Sequence, residues 1–328
     1  MTVGAGASAR YPGTQPGSGA DGSVAGDRWI NDQYVNGTSL PYGSCSQFVF
    51  LHELGHAVGL AHPGDDNAGP GVTITYANNV QFVEDSSQYT VMSYFNARAT
   101  EPNAPNHYAD KLMIYDIHAV QQVYGVNHAT NLGNSTYGFH SNVGGPFDFS
   151  MNKSPLLCIW DGAGNDTPDV SGFNQAQKID LNATHFSDIG GFKGNVSIAY
   201  GCAIENAVGG KGADTIIGND LANQIAGGAG YDTLIGNGGN DSLAGNAGAD
   251  DFVFAHGSGR DVVADFDGVT DVLTLAASLW GGNVISVAGL LGFACIVGGH
   301  VVFSFEADQV ELLTADSISA LEAQILLA

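Results

Sequence analysis

The run GGKGADTII, GNDLANQIA, GGAGYDTLI, GNGGNDSLA and GNAGADDFV, residues 209–253, repeats every nine residues. Each copy approaches the pattern Gly-Gly-x-Gly-x-Asp-x-U-x, where U is a large apolar residue. The U positions Ile216, Ile225, Leu234, Leu243 and Phe252 fall nine apart, a register that a linker has no reason to keep. The glycine-rich half turns and exposes carbonyl oxygens, while the second half extends into a short strand whose U side chain enters a narrow core. Two repeats then make one coil of a parallel β-roll. Carbonyl and carboxylate oxygens at the turns suit a hard cation such as Ca²⁺. Asp214, Asp232 and Asp250 are expected on one side of the roll, and Asn223 and Asp241 on the other. Asn223 removes one charge, so the sites on its side are expected to be weaker. Without calcium the carboxylates repel one another, and this half of the chain is expected to be poorly folded.

Upstream, Phe48 to Pro63 reads FVFLHELGHAVGLAHP. His52 and His56 are four apart and share one face of a helix. A catalytic zinc takes three protein ligands and keeps one position for water, so a third imidazole is needed. Gly59 permits the break that ends the helix, and His62 returns to the metal. Glu53 stands beside the ligands as the general base, and the expected chemistry is attack of zinc-activated water on a peptide carbonyl. Val91-Met92-Ser93-Tyr94 follows some thirty residues on as a methionine turn; taken alone, Met92 fits a core gap-filler and Tyr94 an ordinary half-buried aromatic. Just before the helix, RWINDQYV (residues 28–35) has strand-like content. Trp29 and Asn31 within it mark the edge on which an extended substrate is expected to dock, although an ordinary hairpin strand fits the same residues equally well.

The 328 residues allow two or three domains, and 44% hydrophobic residues is the composition of a folded protein. With 33 acids against 9 bases the formal charge is −24, which argues against nucleic acid and anionic membrane surfaces and for cations. No apolar run long enough to cross a membrane occurs. The N-terminus has neither the basic start nor the apolar core of a secretory signal peptide. Cys45, Cys158, Cys202 and Cys295 are widely spaced, and buried free thiols are favoured over disulfides.

Residues 1–27 read as coil. Gly64 to Val83 reads as a loop-rich connector in which Asp65 and Asp66 are solvated. DKLMIYDIHAVQQVY, residues 110–124, carries an apolar stripe through Leu112, Met113, Ile117, Val120, Val123 and Tyr124. Asp110 is its expected N-cap and Gly125 its C-cap. His107, His118 and His128 are given structural roles. From Tyr137 the texture becomes all-β. Trp160 to Asp166 looks like an outlying calcium turn, Ala203-Ile204-Glu205 leads into the first repeat, and Ser317 to Ala328 reads as a short terminal helix.

Taken together, the long zinc motif, the methionine turn and the nonapeptide repeats resemble the serralysin family of secreted metzincin zinc metalloproteases. Further stretches are similar to that family: His107-Tyr108, Asp116-Ile117, Tyr124-Gly125, Tyr137-Gly138-Phe139, residues 187–191 and residues 193–198. The resemblance implies a multidomain chain, with an α+β metzincin-type protease domain over residues 1–135 that is short at its N-terminus. An all-β domain, parallel β-roll and β-sandwich, follows over residues 136–328. It implies one zinc held by His52, His56 and His62, with Tyr94 as a further ligand that swings to the substrate. It also implies several structural calcium ions. One lies among Asn131, Gly133, Ser135, Asp161, Ala163, Gly164 and Asp166. Others lie along Ala203, Glu205, Gly210, Gly212, Asp214, Gly227, Gly228, Gly230, Asp232, Asp241 and Asp250. The expected protein is a monomeric extracellular endopeptidase acting on proteins and peptides, exported through type I secretion machinery by a C-terminal signal, with no membrane insertion. The rival readings are an inactive extracellular calcium-binding module and a structural surface protein. Both keep the repeats without the catalysis.

Overall fold

In the computed structural model the described residues are 7–9, 28–30, 40–64, 73, 75–315 and 317–328. The nine-residue period becomes two sheets. Odd-numbered repeats give Thr215–Ile217, Thr233–Ile235 and Asp251–Phe254, which lie side by side in a six-stranded parallel sheet. Even-numbered repeats give Gln224–Gly230 and Ser242–Gly248, adjacent and parallel in a nine-stranded sheet. Ile216 pairs with Leu234, Leu234 with Phe252, and Ile225 with Leu243, so each coil is two repeats long. All five U side chains are buried in one core, because alternation along a strand sends every second residue inward.

Before the repeats the same stacking continues through Thr136–Gly138, Thr167–Asp169 and Asn206–Val208 in the larger sheet and Lys178–Asp180 in the smaller. After them it passes to Arg260–Val263 and Val272–Leu275. The larger sheet ends in an antiparallel meander of Asp308–Leu312, His300–Phe305 and Ala294–Val297.

Helices are few. Helix α1 spans Cys45–Ala57, and Ser44 caps it by accepting the Gln47 amide. Helix α2 is the single turn Tyr76–Asn79, and α3 spans Ile114–Tyr124, ending at Gly125 with φ +84°. A second apolar cluster, with Phe48, Leu60, Val91, Met92, Met113 and Leu156 among its members, packs around α1. No helix among the described residues is long and apolar enough to cross a membrane.

Several expectations need correction. Ala7–Ala9, within a stretch read as coil, is a strand paired antiparallel with Arg28–Ile30. Trp29 lies in that second strand, whereas Asn31, Asp65 and Asp66 lie outside the described residues. Asp110 does not cap α3. Its carboxylate is taken by Leu156 N at 3.0 Å and Asn152 Nδ2 at 2.9 Å, and Asp116 accepts the Met113 amide at the helix start instead. Val123 and Tyr124 are exposed, leaving Ile114 and Asp116 as the buried residues of α3. Cys158 and Cys202 are buried, but Cys45 and Cys295 are exposed, and all four are free. The C-terminal segment is no α-helix. A 3₁₀ turn at Ile318–Ala320 leads to the strand Ile325–Leu327, because the open edge of Val272–Leu275 offers it a parallel ladder.

Candidate metal centre

Helix α1 carries His52, Glu53 and His56, all buried, and the turn after it carries His62. The helix stops at Val58, Gly59 takes φ +97°, and the Leu60 amide reaches back to the Gly55 carbonyl at 2.9 Å. That reversal sends the chain beneath its own last turn and returns His62. The Nε2 atom of His62 lies 3.0 Å from the Nε2 atoms of both His52 and His56. Among the described residues this is the one group of three or more His, Cys, Asp or Glu side chains whose ligand atoms gather within 4.8 Å.

The ring tautomers follow from the partners. His52 Nδ1 lies 2.8 Å from the Val91 carbonyl and His56 Nδ1 lies 2.9 Å from the Leu60 carbonyl. A carbonyl only accepts, so each Nδ1 carries the proton and each Nε2 presents a lone pair. His62 has one proton at most for that meeting point, so two lone pairs and a third nitrogen converge where a cation belongs. Carbonyl-anchored imidazoles of this kind are what a metal ligand needs around it. Burial, and then the nearby His52 and His56, hold His62 down to about 4, and burial lowers His52 as well. Both favour the neutral, metal-binding form. The residues present therefore fit a zinc ion.

Glu53 has one carboxylate oxygen, Oε2, buried without a hydrogen-bond partner, and burial raises its pKa. Tyr94 is half exposed beside the triad, its ring centroid 4.6 Å from that of His62 and 5.5 Å from that of His52. Beneath α1, Met92 is buried against Gly55, where a Cβ would stand 2.4 Å from the methionine sulfur.

Along the roll the acidic side chains form ladders. Asp232 Oδ1 accepts the Asp214 amide at 2.8 Å, Asp250 Oδ1 the Asp232 amide at 2.9 Å, and Asp271 Oδ1 the Asp250 amide at 3.0 Å. On the other sheet, Asp241 Oδ1 accepts the Asn223 amide at 2.8 Å and Asp261 Oδ1 the Asp241 amide at 3.0 Å. Asp214 and Asp271 use both oxygens, whereas Oδ2 of Asp232, Asp241 and Asp261 is buried with no partner. Gly210 donates to Asp214, and the turns stack so that the Gly210 and Gly212 carbonyls face Gly228 and Gly230 of the next coil. Gly227 lies against the Asp232 carboxylate. Bare, buried carboxylate oxygens beside stacked carbonyls are a donor set that fits calcium.

The outlying group also assembles in part. Ser135 donates its amide to Asp166 at 2.7 Å and its hydroxyl to the Gly133 carbonyl at 3.2 Å; Asp161 accepts the Ala163 amide; the Asp166 amide donates to Glu205 at 2.8 Å. Gly164 lies against both Gly133 and Asp166. Asn131 donates to the Tyr137 hydroxyl, which donates to Asp161. Burial, then the charges of Asp161 and Glu205, push Asp166 up to about 6. Ala203 is exposed and supplies backbone alone.

Comparison with known proteins bears on both halves. A family model described as Peptidase M10 serralysin C terminal matches residues 126–290, half of the chain. The chain belongs to the serralysin family. Metallopeptidase AprA of Pseudomonas marginalis is 45% identical over 317 residues, which covers 93% of this chain and 64% of that protein. A serralysin of Photorhabdus luminescens is 47% identical over 197 residues, 60% of this chain and 39% of that one. Serralysin B of Dickeya chrysanthemi is 44% identical over 211 residues, 64% and 42% of the two chains. This serralysin-family chain thus spans between about two-fifths and somewhat under two-thirds of the length of these relatives.

Three features of this serralysin relative were invisible in the motif spacing. Asp261 and Asp271 extend the ladders at separations of 20 and 21 residues, which breaks the eighteen-residue coil period. Asp116 lies in a family-like stretch, but its partners Thr90 and Val91 lie 26 and 25 residues away. Asp85 is wholly buried, in a stretch with no motif.

Proposed function

We propose that this chain is a secreted, zinc-dependent endopeptidase that cleaves internal peptide bonds of proteins, and that calcium stabilises it. The observation that carries the reading is the convergence of three imidazole nitrogens next to Glu53, whose Oε2 is buried without a hydrogen-bond partner. His52, His56 and His62 hold the metal. Zinc, when bound there, supplies a Lewis acid that polarises the scissile carbonyl and lowers the pKa of water. Glu53 takes the proton from the attacking water and passes it to the leaving amine. Its burial suits both halves of that task, since a carboxyl raised above its ordinary range is a better base and still a usable acid. Tyr94 serves as a further ligand in the resting site, and in the reaction its phenol donates to the developing oxyanion. Trp29 and Asn31 mark the edge along which an extended substrate lies.

Residues 1–135 form the metzincin-type zinc domain and residues 136–328 the calcium domain, a β-roll and sandwich. Calcium is held by Asn131, Gly133, Ser135, Asp161, Ala163, Gly164 and Asp166, and along the roll by Ala203, Glu205, Gly210, Gly212, Asp214, Gly227, Gly228, Gly230, Asp232, Asp241 and Asp250. Asp261 and Asp271 extend the same columns. The chain acts as a monomer outside the cell, where calcium is plentiful, after export by type I secretion machinery. Casein hydrolysis tests the reading: a zinc chelator should abolish it and added zinc should restore it. Hydrolysis that survives complete removal of zinc would refute it.

A further inference from the structure

We infer that Asp116 is a positioning residue for His52, acting through the Val91 peptide, and that it sets the affinity of the triad for its metal. The inference rests on the zinc reading above and extends it to a residue outside the triad.

Asp116 is the third residue of α3 and is 2% exposed. Three donors converge on its carboxylate: Thr90 Oγ1 on Oδ1 at 2.5 Å, and the amides of Val91 and Met113 on Oδ2, each at 2.8 Å. Closing the first turn of α3 requires one of these, the Met113 amide. The other two belong to the methionine turn on a separate segment. Thr90 Oγ1 in turn accepts the Met92 amide at 2.9 Å, so the carboxylate fixes Thr90, Val91 and Met92 as a unit.

The Val91 peptide is the connection. Its N–H is held by Asp116, and its carbonyl receives His52 Nδ1 at 2.8 Å. A peptide whose N–H is bonded to an anion is polarised, and its carbonyl becomes a stronger acceptor. Asp116 therefore orients the carbonyl that fixes the His52 ring and strengthens the bond that makes Nε2 basic. Carboxylates that act on a metal through an imidazole Nδ1–H are known to matter for affinity. Here a peptide unit is interposed. The Nδ1 of His56 instead bonds the Leu60 carbonyl, within its own turn. Among the described residues no Lys, Arg or His pairs with Asp116, so its charge is balanced by these three hydrogen bonds alone.

The test is Asp116→Asn in the full chain with calcium present. Asparagine keeps the shape but lacks the charge and turns an NH₂ toward a donor. Zinc dissociation constants are measured by competition with a chromophoric chelator at a temperature where both proteins are folded. The variant should bind zinc about 10- to 100-fold more weakly. The Nδ1 proton resonance of His52 should move upfield while that of His56 stays. Zinc binding within about twofold of the parent overturns the inference, and so does an equal shift of both resonances, which would mark a general loosening. Should Asp116→Asn not fold, Thr90→Val carries the test: it removes one brace from the carboxylate and should weaken zinc binding severalfold, and unchanged affinity overturns the inference. A parent chain that binds no zinc would instead sink the zinc reading itself.

Discussion

Gly55 and Met92 show how closely the centre is fitted at the scale of single residues. Any side chain at position 55 would meet the methionine sulfur, so the methionine turn can pass beneath α1 only because glycine stands there. The histidine triad was legible in the sequence because helical spacing brings i and i+4 together and Gly59 announces the reversal. The bonds of Asp116 were not, because nothing local distinguishes a buried acceptor from an exposed acid, and its partners come from another segment. Tyr94 tests the proposed chemistry at this scale. Its ring stands beside those of His62 and His52, and the proposed chemistry assigns its phenol to the oxyanion. Tyr94→Phe keeps the ring and removes the donor, so turnover should fall by roughly 100- to 1,000-fold, as for other lost oxyanion donors. Zinc content should fall less. Steady-state kinetics with metal analysis on the same sample checks this, and loss of zinc in proportion to activity would make Tyr94 mainly a ligand.

Among the elements, the repeat strands were the most legible, since a fixed nine-residue period leaves one way to stack large apolar residues inward. The C-terminal strand was not, because Leu321 to Ala328 carries helical residues and its ladder with Val272–Leu275 is a long-range contact that outweighs local propensity. The carboxylate ladders give the roll a pH dependence whose sign can be worked out for the calcium-free chain. Burial, with Asp214 and Asp250 adding, pushes Asp232 up to about 6; burial, with Asp261 adding, pushes Asp241 up to about 7; burial pushes Asp261 up to about 6. All lie above the ordinary carboxylate value near 4 of an unfolded chain. Between those limits the folded state binds more protons than the unfolded state, so stability falls as pH rises. Thermal unfolding followed by circular dichroism should therefore show the calcium-free chain losing stability from about pH 4 to about pH 7. Saturating calcium should remove that loss, because it binds the ionised oxygens. A calcium-free chain that is more stable at pH 7 than at pH 5 would contradict the ladder account.

At the scale of the whole molecule, hydrogen bonds join the segment 88–110 to residues 156–194 of the β region. Leu156 N and O bond Asp110, Gln88 Nε2 donates to Gly194 O at 2.9 Å, and the Lys193 amide donates to Asn103 O at 3.2 Å. Loss of order around Leu156 and Gly194 would remove partners of the segment that carries the methionine turn. The composition is in keeping with the proposed calcium sites, since 33 acids against 9 bases repel one another unless cations screen them. The claim on which the rest depends is that Glu53, and the metal beside it, hydrolyse peptide bonds. Glu53→Ala, purified beside the parent, should hold the same amount of zinc, about one ion per chain. It should cleave casein more slowly by about 100- to 10,000-fold, the span a positioned general base commonly supplies. Cleavage at the parent's rate with matched zinc content would contradict the account.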